Sequence, residues 1–153
     1  MNKPEPHPFC FEYQRRVEFV ETDMAGIMHF SNFYRFMEAA EHAFFRSIGH
    51  GVHETVEGQT IGWPRVQTSC DFFKPVRFED TVKIRVTIEE IRRRSVRYIH
   101  TFVLGEGDDE RIIASGRMTT ACVQLHREAG SIESINIPDT LRADLEAAQA
   151  RQK

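Results

Sequence analysis

The sequence has few of the features that mark disulfide-rich, metal-binding or membrane-spanning proteins. It contains 3 cysteines in 153 residues, and Cys10, Cys70 and Cys122 form no CxxC motif. An odd number of widely spaced cysteines argues against a disulfide framework and a structural metal site, so we expect a cytoplasmic protein without a metal. No segment approaches the ~20 apolar residues of a membrane helix, and the polar start lacks a signal-peptide core, so we expect no membrane span.

An excess of charge of one sign is also missing. The formal net charge is -3 at pH 7, which argues against broad nucleic-acid binding but leaves room for a local basic patch that binds phosphates. A chain of 153 residues that is 41% hydrophobic has the size and composition of one globular domain. We predict a flexible leader over residues 1–14 and a single domain over residues 15–150.

The hydrophobic pattern predicts one long helix followed by a run of strands. Apolar residues recur at spacings of three and four from Phe30 to Ile48, with His29 or Ser31 as the cap and Gly49 as the stop. Alternating segments predict strands over 15–21, 66–73, 81–91, 95–104 and 111–125, and a second helix is predicted over 138–149. This order predicts an α+β fold in which an antiparallel sheet wraps the long helix.

A single carboxylate precedes the long helix. Asp23 lies on a short loop that contains Gly26 and leads directly into the helix. A carboxylate that faces the unpaired N–H groups of a helix start can combine a nucleophile or base with an oxyanion site. The alternative is that Asp23 only opens the turn before Gly26.

The same segment carries a family resemblance. Residues 17–34, VEFVETDMAGIMHFSNFY, resemble the signature of the 4-hydroxybenzoyl-CoA thioesterase family, and the similarity continues through EAA at 38–40, FFKPV at 72–76 and EIRRRS at 90–95. The resemblance implies a hotdog fold, a curved antiparallel sheet around one long helix. It also implies hydrolysis of an aromatic or short to medium acyl-CoA, with no cofactor beyond the coenzyme A of the substrate.

The resemblance assigns roles near the helix start. It places the catalytic aspartate at Asp23, as nucleophile or general base, and the oxyanion donor at the backbone N–H near Phe30. His29 has no fixed role in the family and is interpreted as a pocket-wall or capping residue that contacts the substrate. Tyr34 is expected near the substrate as well.

Charged residues on the helix and on a hairpin have two interpretations each. Glu38 recognises a polar group of the acyl part or orients the Asp23 loop; alternatively, it forms a salt bridge at a subunit contact. Glu41 falls inside the apolar face, departs from many relatives and leaves the acyl specificity open. Arg92, Arg93 and Arg94 form either a solvated turn or, as the resemblance implies, a contact to the phosphates of coenzyme A.

The fold also implies an oligomer. An exposed strand edge favours pairing, and family members pair edge to edge with the active site at their interface. We therefore expect a homodimer or homotetramer. In such an assembly Asp23 would face Trp63, Pro64 or Thr68 of the next subunit, and the arginine hairpin would come from another protomer.

Three other functions compete with hydrolysis. The first is a non-catalytic module that binds acyl-CoA or an acyl-carrier protein. The second is a hotdog dehydratase with a catalytic histidine, which Met28-His29-Phe30 resembles only superficially. The third, a DNA-binding sensor of acyl-CoA, is disfavoured because the predicted leader is too short for a helix-turn-helix.

Overall fold

A computed structural model describes residues 4–153, which form two α-helices and two antiparallel sheets. The helices are α1 (Phe30–Ser47) and α2 (Asp139–Ala150). The strands are β1 (Phe11–Arg16), β2 (Glu54–Val56), β3 (Gln59–Gly62), β4 (Arg65–Phe72), β5 (Thr81–Ile91), β6 (Ser95–Leu104), β7 (Arg111–Ala121), β8 (Val123–His126) and β9 (Ser131–Ser134). Among the described residues, no helix is both long enough and apolar enough to cross a membrane.

The larger sheet has the strand order β1-β5-β6-β7-β4, and every neighbouring pair is antiparallel. The smaller sheet has the order β2-β3-β8-β9. Helix α1 packs against β1 and β5 of the larger sheet. This mixture of one long helix and an antiparallel sheet confirms the predicted α+β class and is consistent with a hotdog fold.

Aromatic side chains fill the layer between α1 and the larger sheet. Phe33 packs on Phe102 with ring centroids 5.2 Å apart, and Phe44 packs on Tyr98 at 6.4 Å. The pairings of β4 with β7, β5 with β6 and β6 with β7 each contain a register shift. Such irregularities bend strands and increase their twist, which allows the sheet to curve around the helix.

The first strand lies earlier than predicted. β1 spans Phe11–Arg16, so residues 11–14 of the predicted flexible leader are paired with β5, whereas Phe19–Glu21 forms a 3-10 turn. The reason is tertiary: β5 begins at Thr81, opposite Arg16, and beyond this pair Val17 meets the turn before β5, where it hydrogen-bonds to Asp80 and Glu79, so the strand pairing ends there. Residues 1–3 of the leader lie outside the described part of the chain.

The other predicted elements are confirmed, with one division. The predicted strand over 111–125 is split at Cys122 into β7 and β8, because the chain passes there from the larger sheet to the smaller one. The short strands β2, β3 and β9 were not predicted. The helix predicted from Phe30 begins there, with His29 as its N-cap.

Candidate functional site

A cleft of about 630 Å³ opens where the Asp23 loop, the start of α1 and the segment after β4 meet. It is lined by Asp23, Ile27, Met28, Phe30, Phe33, Phe72, Phe73, Lys74, Pro75 and Val76. Among these lining residues only Asp23 and Lys74 are charged. The structure therefore brings the two predicted catalytic positions, Asp23 and Phe30, together in one apolar cleft.

The loop holds the Asp23 carboxylate by one oxygen. Asp23 Oδ1 accepts hydrogen bonds from the backbone N–H of Ala25 at 2.8 Å and of Ile27 at 3.5 Å. Gly26 has φ of 77°, in the left-handed region that glycine adopts without strain, and its N–H donates to the Asp23 carbonyl at 3.0 Å. Oδ2 has no hydrogen-bond partner within residues 4–153 and is left for a substrate or a water molecule.

The start of α1 supplies an unused donor. The His29 side chain accepts a hydrogen bond from the Ser31 N–H at 3.3 Å, and the His29 carbonyl accepts one from the Asn32 N–H at 2.9 Å. In the described part of the chain, the Phe30 N–H donates no hydrogen bond. A helix start also carries about half a positive charge. This free N–H is therefore suited to a developing negative charge on an oxygen.

Backbone hydrogen bonds attach the Asp23 loop to its surroundings. Thr22 and Met28 form an isolated antiparallel bridge across the loop. The Met28 N–H donates to the Val76 carbonyl at 2.6 Å, and the His29 N–H donates to the Glu21 carbonyl at 2.9 Å. The loop, the helix start and the segment after β4 are thereby held as one unit.

Three further predicted residues lie on α1 or at its start. His29 is beside the cleft, with its ring stacked on Phe30 at 4.6 Å. Tyr34 is half-buried against the core and does not line the cleft. Glu38 is exposed on the outer face of the helix, 3.9 Å from His42 Nε2, so it does not reach the Asp23 loop within one chain.

Two other predicted residues are also absent from the cleft of this chain. Trp63 is buried and packs on Phe45 with ring centroids 5.6 Å apart, because a large apolar ring gains most by leaving water. Thr68 is exposed on the edge strand β4, and its hydroxyl donates to the Arg117 carbonyl at 3.2 Å. Neither residue lines the cleft of its own protomer.

The arginine hairpin lies at the far end of β5. The Asp23 loop is tied to Val76, shortly before β5 begins at Thr81, whereas Arg92–Arg94 follow its last residue, Ile91. At ~3.3 Å per residue, the two ends of this strand are roughly 30 Å apart. Arg92 pairs with Glu90 at 3.0 Å. Within one protomer the hairpin is therefore not part of the cleft.

The sequence did not identify the wall opposite the helix. Phe72, Phe73 and Lys74 line the cleft, although their segment was noted only as part of the family resemblance. These residues line the same cleft as Asp23 because the end of β4 packs on α1, where the ring centroids of Phe33 and Phe72 are 4.9 Å apart. This contact joins residues distant in sequence, so local patterns could not reveal it.

The comparisons with known proteins agree on one family. Residues 17–145 match a family model described as the thioesterase-like superfamily. A 1,4-dihydroxy-2-naphthoyl-CoA hydrolase from Thermosynechococcus vestitus is 32% identical over 139 residues, which are 90% of this chain and 89% of that enzyme. A 4-hydroxybenzoyl-CoA thioesterase from Pseudomonas sp. is 33% identical over 84 residues, which are 54% of this chain and 60% of that enzyme.

The solved structure of a gentisyl-coenzyme A thioesterase is similar as well. It has 31% sequence identity and a TM-score of 0.74, and the match covers 88% of this chain and 98% of that one. The match to this chain covers 64% of the length of one curated relative and 60% of the length of another.

Proposed function

This chain belongs to the thioesterase-like superfamily, and we propose that it is an acyl-CoA thioester hydrolase with a hotdog fold and an aromatic acyl substrate. One observation carries the proposal: Asp23 and Phe30, the residue whose backbone N–H donates no hydrogen bond within residues 4–153, line the same apolar cleft. A thioester is an activated acyl group, so one oriented carboxylate and one oxyanion donor suffice without a serine or cysteine nucleophile.

The reaction begins with the thioester carbonyl oxygen against the Phe30 N–H. As the carbonyl carbon is attacked, negative charge develops on that oxygen, and a backbone donor of this kind contributes about 3 kcal/mol to the transition state. In one route Asp23 Oδ2 attacks the carbon, the C–S bond breaks, CoA leaves as a thiolate, and water hydrolyses the resulting anhydride. In the other route Asp23 takes a proton from the water that attacks the carbon, the C–S bond breaks, CoA leaves as a thiolate, and the free acid forms directly.

Aromatic lining favours a flat acyl group. Phe30, Phe33, Phe72 and Phe73 all contribute to the cleft, and aromatic rings pack well against other rings edge to face or offset. The relatives named above act, by their names, on hydroxybenzoyl, dihydroxynaphthoyl and gentisyl thioesters of coenzyme A. This shared chemistry supports an aryl-CoA as the substrate.

We also propose that the working enzyme is a homo-oligomer. Within residues 4–153, β4 of the larger sheet pairs only with β7, so its other edge offers free N–H and C=O groups to a second strand. The ~30 Å between the two ends of β5 supports a site whose phosphate contacts come from a neighbouring protomer. Three arginines at the hairpin suit the phosphates of coenzyme A, which prefer multidentate cationic partners.

The test is a panel of acyl-CoA thioesters with release of free thiol as the readout. The panel contains 4-hydroxybenzoyl-CoA, gentisyl-CoA, 1,4-dihydroxy-2-naphthoyl-CoA, and short and medium aliphatic acyl-CoAs. We expect the largest kcat/KM among the aromatic substrates. Faster turnover of the aliphatic substrates would refute the aromatic assignment, and no turnover of any of them, with binding retained, would favour a non-catalytic acyl-CoA module.

A further inference from the structure

We propose that Asn32 is a positioning residue. It fixes the position of the Asp23 loop relative to the Phe30 N–H at the start of α1. The inference rests on the proposed function, because it assigns Asn32 a part in the hydrolysis. Asn32 does not line the cleft, so it acts through other residues and not by contact with the substrate.

The contact joins the two halves of the site. Asn32 Nδ2 donates a hydrogen bond to the Glu21 carbonyl at 2.8 Å, and the same oxygen accepts a second hydrogen bond from the His29 N–H at 2.9 Å. Glu21 is two residues before Asp23, and Asn32 is two residues after Phe30. One side chain therefore links the chain that carries the carboxylate to the turn that carries the free N–H.

Glu21 is fixed from its other side as well. Its carboxylate is nearly buried and accepts a hydrogen bond from Arg15 at 2.8 Å. The Arg15 guanidinium in turn lies 4.3 Å from the centre of the Phe36 ring on α1. Because both its side chain and its carbonyl are held, Glu21 is a firm anchor for the loop that follows.

The tip of the loop has no comparable packing. Met24, Ala25 and Gly26 are exposed, so the position of the loop relative to the helix depends on hydrogen bonds such as those to the Glu21 carbonyl. A misplacement of about 1 Å at a catalytic group can lower the rate a hundredfold. Loss of the Asn32 amide is therefore expected to lower kcat by roughly ten- to a hundredfold with KM changed less than twofold.

Three variants test this assignment by steady-state kinetics. Asn32→Asp keeps the shape but places an acceptor opposite the Glu21 carbonyl, and Asn32→Ala removes the donor. Ser47→Ala is the matched control, because it removes one side-chain to backbone hydrogen bond, to the Phe44 carbonyl at 2.6 Å, from the far end of the same helix. We expect lower kcat in both Asn32 variants and native kcat in Ser47→Ala.

The pH profile separates positioning from a general loss of structure. A protonated aspartic acid regains an O–H donor, so the ratio of Asn32→Asp to native kcat should rise as the pH falls through the ordinary carboxyl range near about 4. The corresponding ratio for Asn32→Ala should stay flat. Native kcat in both Asn32 variants, a change confined to KM, or a flat ratio for Asn32→Asp would overturn the assignment.

Amide hydrogen exchange gives a readout that needs no turnover. Asn32→Ala should increase exchange at His29, whose N–H shares the Glu21 carbonyl, while Ser47→Ala should leave it at the native rate. If the native protein hydrolyses none of the acyl-CoA panel, the proposed function fails while exchange still tests the contact. If the native protein turns over but exchange in Asn32→Ala is unchanged, the positioning role fails alone.

Discussion

Glu41 on α1 forms an ion pair with Arg65 at the start of β4, with 2.7 Å between Glu41 Oε2 and the guanidinium. The Glu41 side chain is fully buried, and within residues 4–153 its second oxygen has no hydrogen-bond partner. Burial raises the pKa of Glu41 to about 7, although the charge of Arg65 opposes the rise. Glu41, which interrupts the apolar face of α1, is therefore held by Arg65 of the edge strand β4.

The raised pKa of Glu41 predicts that the free energy of unfolding falls as the pH rises. The ordinary pKa of 4.5 is lower than the folded value of about 7, so folding takes up a proton between them. The contribution of Glu41 to the free energy of unfolding is fully present below pH ~4.5 and is lost as the pH rises through about 7. Its upper magnitude is on the order of 3 kcal/mol. Glu41→Gln should therefore flatten the free energy of unfolding against pH, measured by urea titration between about pH 5 and pH 8.

The exposed Glu128, in the turn between β8 and β9, supplies the control for this measurement. Glu128→Gln changes the same charge by the same chemistry but at a solvated site away from Glu41, so it should keep the native slope. A native slope in Glu41→Gln would show that the buried carboxylate does not take up the proton.

A second pH-dependent contact joins α2 to the start of β2. His50 lies between Glu54, 2.8 Å from Nδ1, and Asp144, 2.7 Å from Nε2. Partial burial lowers the pKa of His50, but the hydrogen bonds to the two carboxylates outweigh it and raise the pKa above its ordinary 6.5. The stabilisation is therefore fully present below about pH 6.5 and is lost as the pH rises through the higher folded value.

His50→Gln should remove this second component of the pH dependence. Thermal unfolding of the variant should show a smaller loss of Tm between about pH 6 and pH 8 than the native protein. The Glu41→Gln and His50→Gln effects should add, because the two sites share no partner. Equal losses of Tm in the native protein and in His50→Gln would contradict the assignment.

The parts of the fold that were predicted correctly, and the shared position of Asp23 and Phe30 at one cleft, are encoded locally. The spacing of Phe33, Met37, Ala40 and Phe44 predicts α1 because one helix face is buried, and Asp23 and Phe30 are separated by only seven positions. The first strand was placed wrongly because its position depends on where β5 begins, which is a property of the sheet.

Side chains farther along the chain were harder to place for the same reason. Tyr34 was expected near the substrate, yet in its own chain it packs against the core and does not line the cleft. Trp63 packs on Phe45 in its own chain, and its expected position at the cleft of the next subunit stays a prediction. Conversely, Phe72 and Lys74 reach the cleft only because the end of β4 packs on α1. Residues whose neighbours are distant in sequence require the fold before their role can be assigned.

Asp23→Asn should lower turnover without altering the fold. The amide keeps an oxygen that can accept from the Ala25 and Ile27 N–H groups but can neither attack a carbonyl nor take a proton, so we expect kcat to fall by roughly a hundredfold or more. KM and Tm should stay close to native. The control is Asp108→Asn, an exposed aspartate in the turn between β6 and β7, which should keep native kcat.

A single turnover in heavy-oxygen water then separates the two routes. Heavy oxygen in the enzyme carboxylate indicates attack by Asp23 through an anhydride that water opens at the Asp23 carbonyl. Heavy oxygen only in the product acid, with no acyl-enzyme captured by rapid acid quench, indicates that Asp23 acts as a base. Native turnover in Asp23→Asn would remove this residue from the mechanism.

The arginine hairpin should affect binding of coenzyme A and not the chemistry at the thioester. Replacing both Arg92 and Arg93 with Gln should raise KM for the best acyl-CoA roughly tenfold, about 1.4 kcal/mol, with kcat nearly unchanged. KM for the same acyl group on N-acetylcysteamine, which carries no phosphate, should not change. Arg111→Gln, at an exposed arginine that begins β7, should leave both KM values at their native levels.

Mixed assemblies test whether the hairpin serves the cleft of a neighbour. One subunit carries Asp23→Asn, and its partner carries both arginine changes. If each cleft uses the hairpin of the other subunit, one site of this mixed assembly has an intact Asp23 and an intact hairpin. An arrangement within one subunit leaves a defect in every site. Because the ends of β5 are ~30 Å apart, we expect differently tagged, co-purified mixed assemblies to recover native KM and about half of native kcat. Absence of recovery would place the phosphate contact within the same protomer and contradict the proposed assembly.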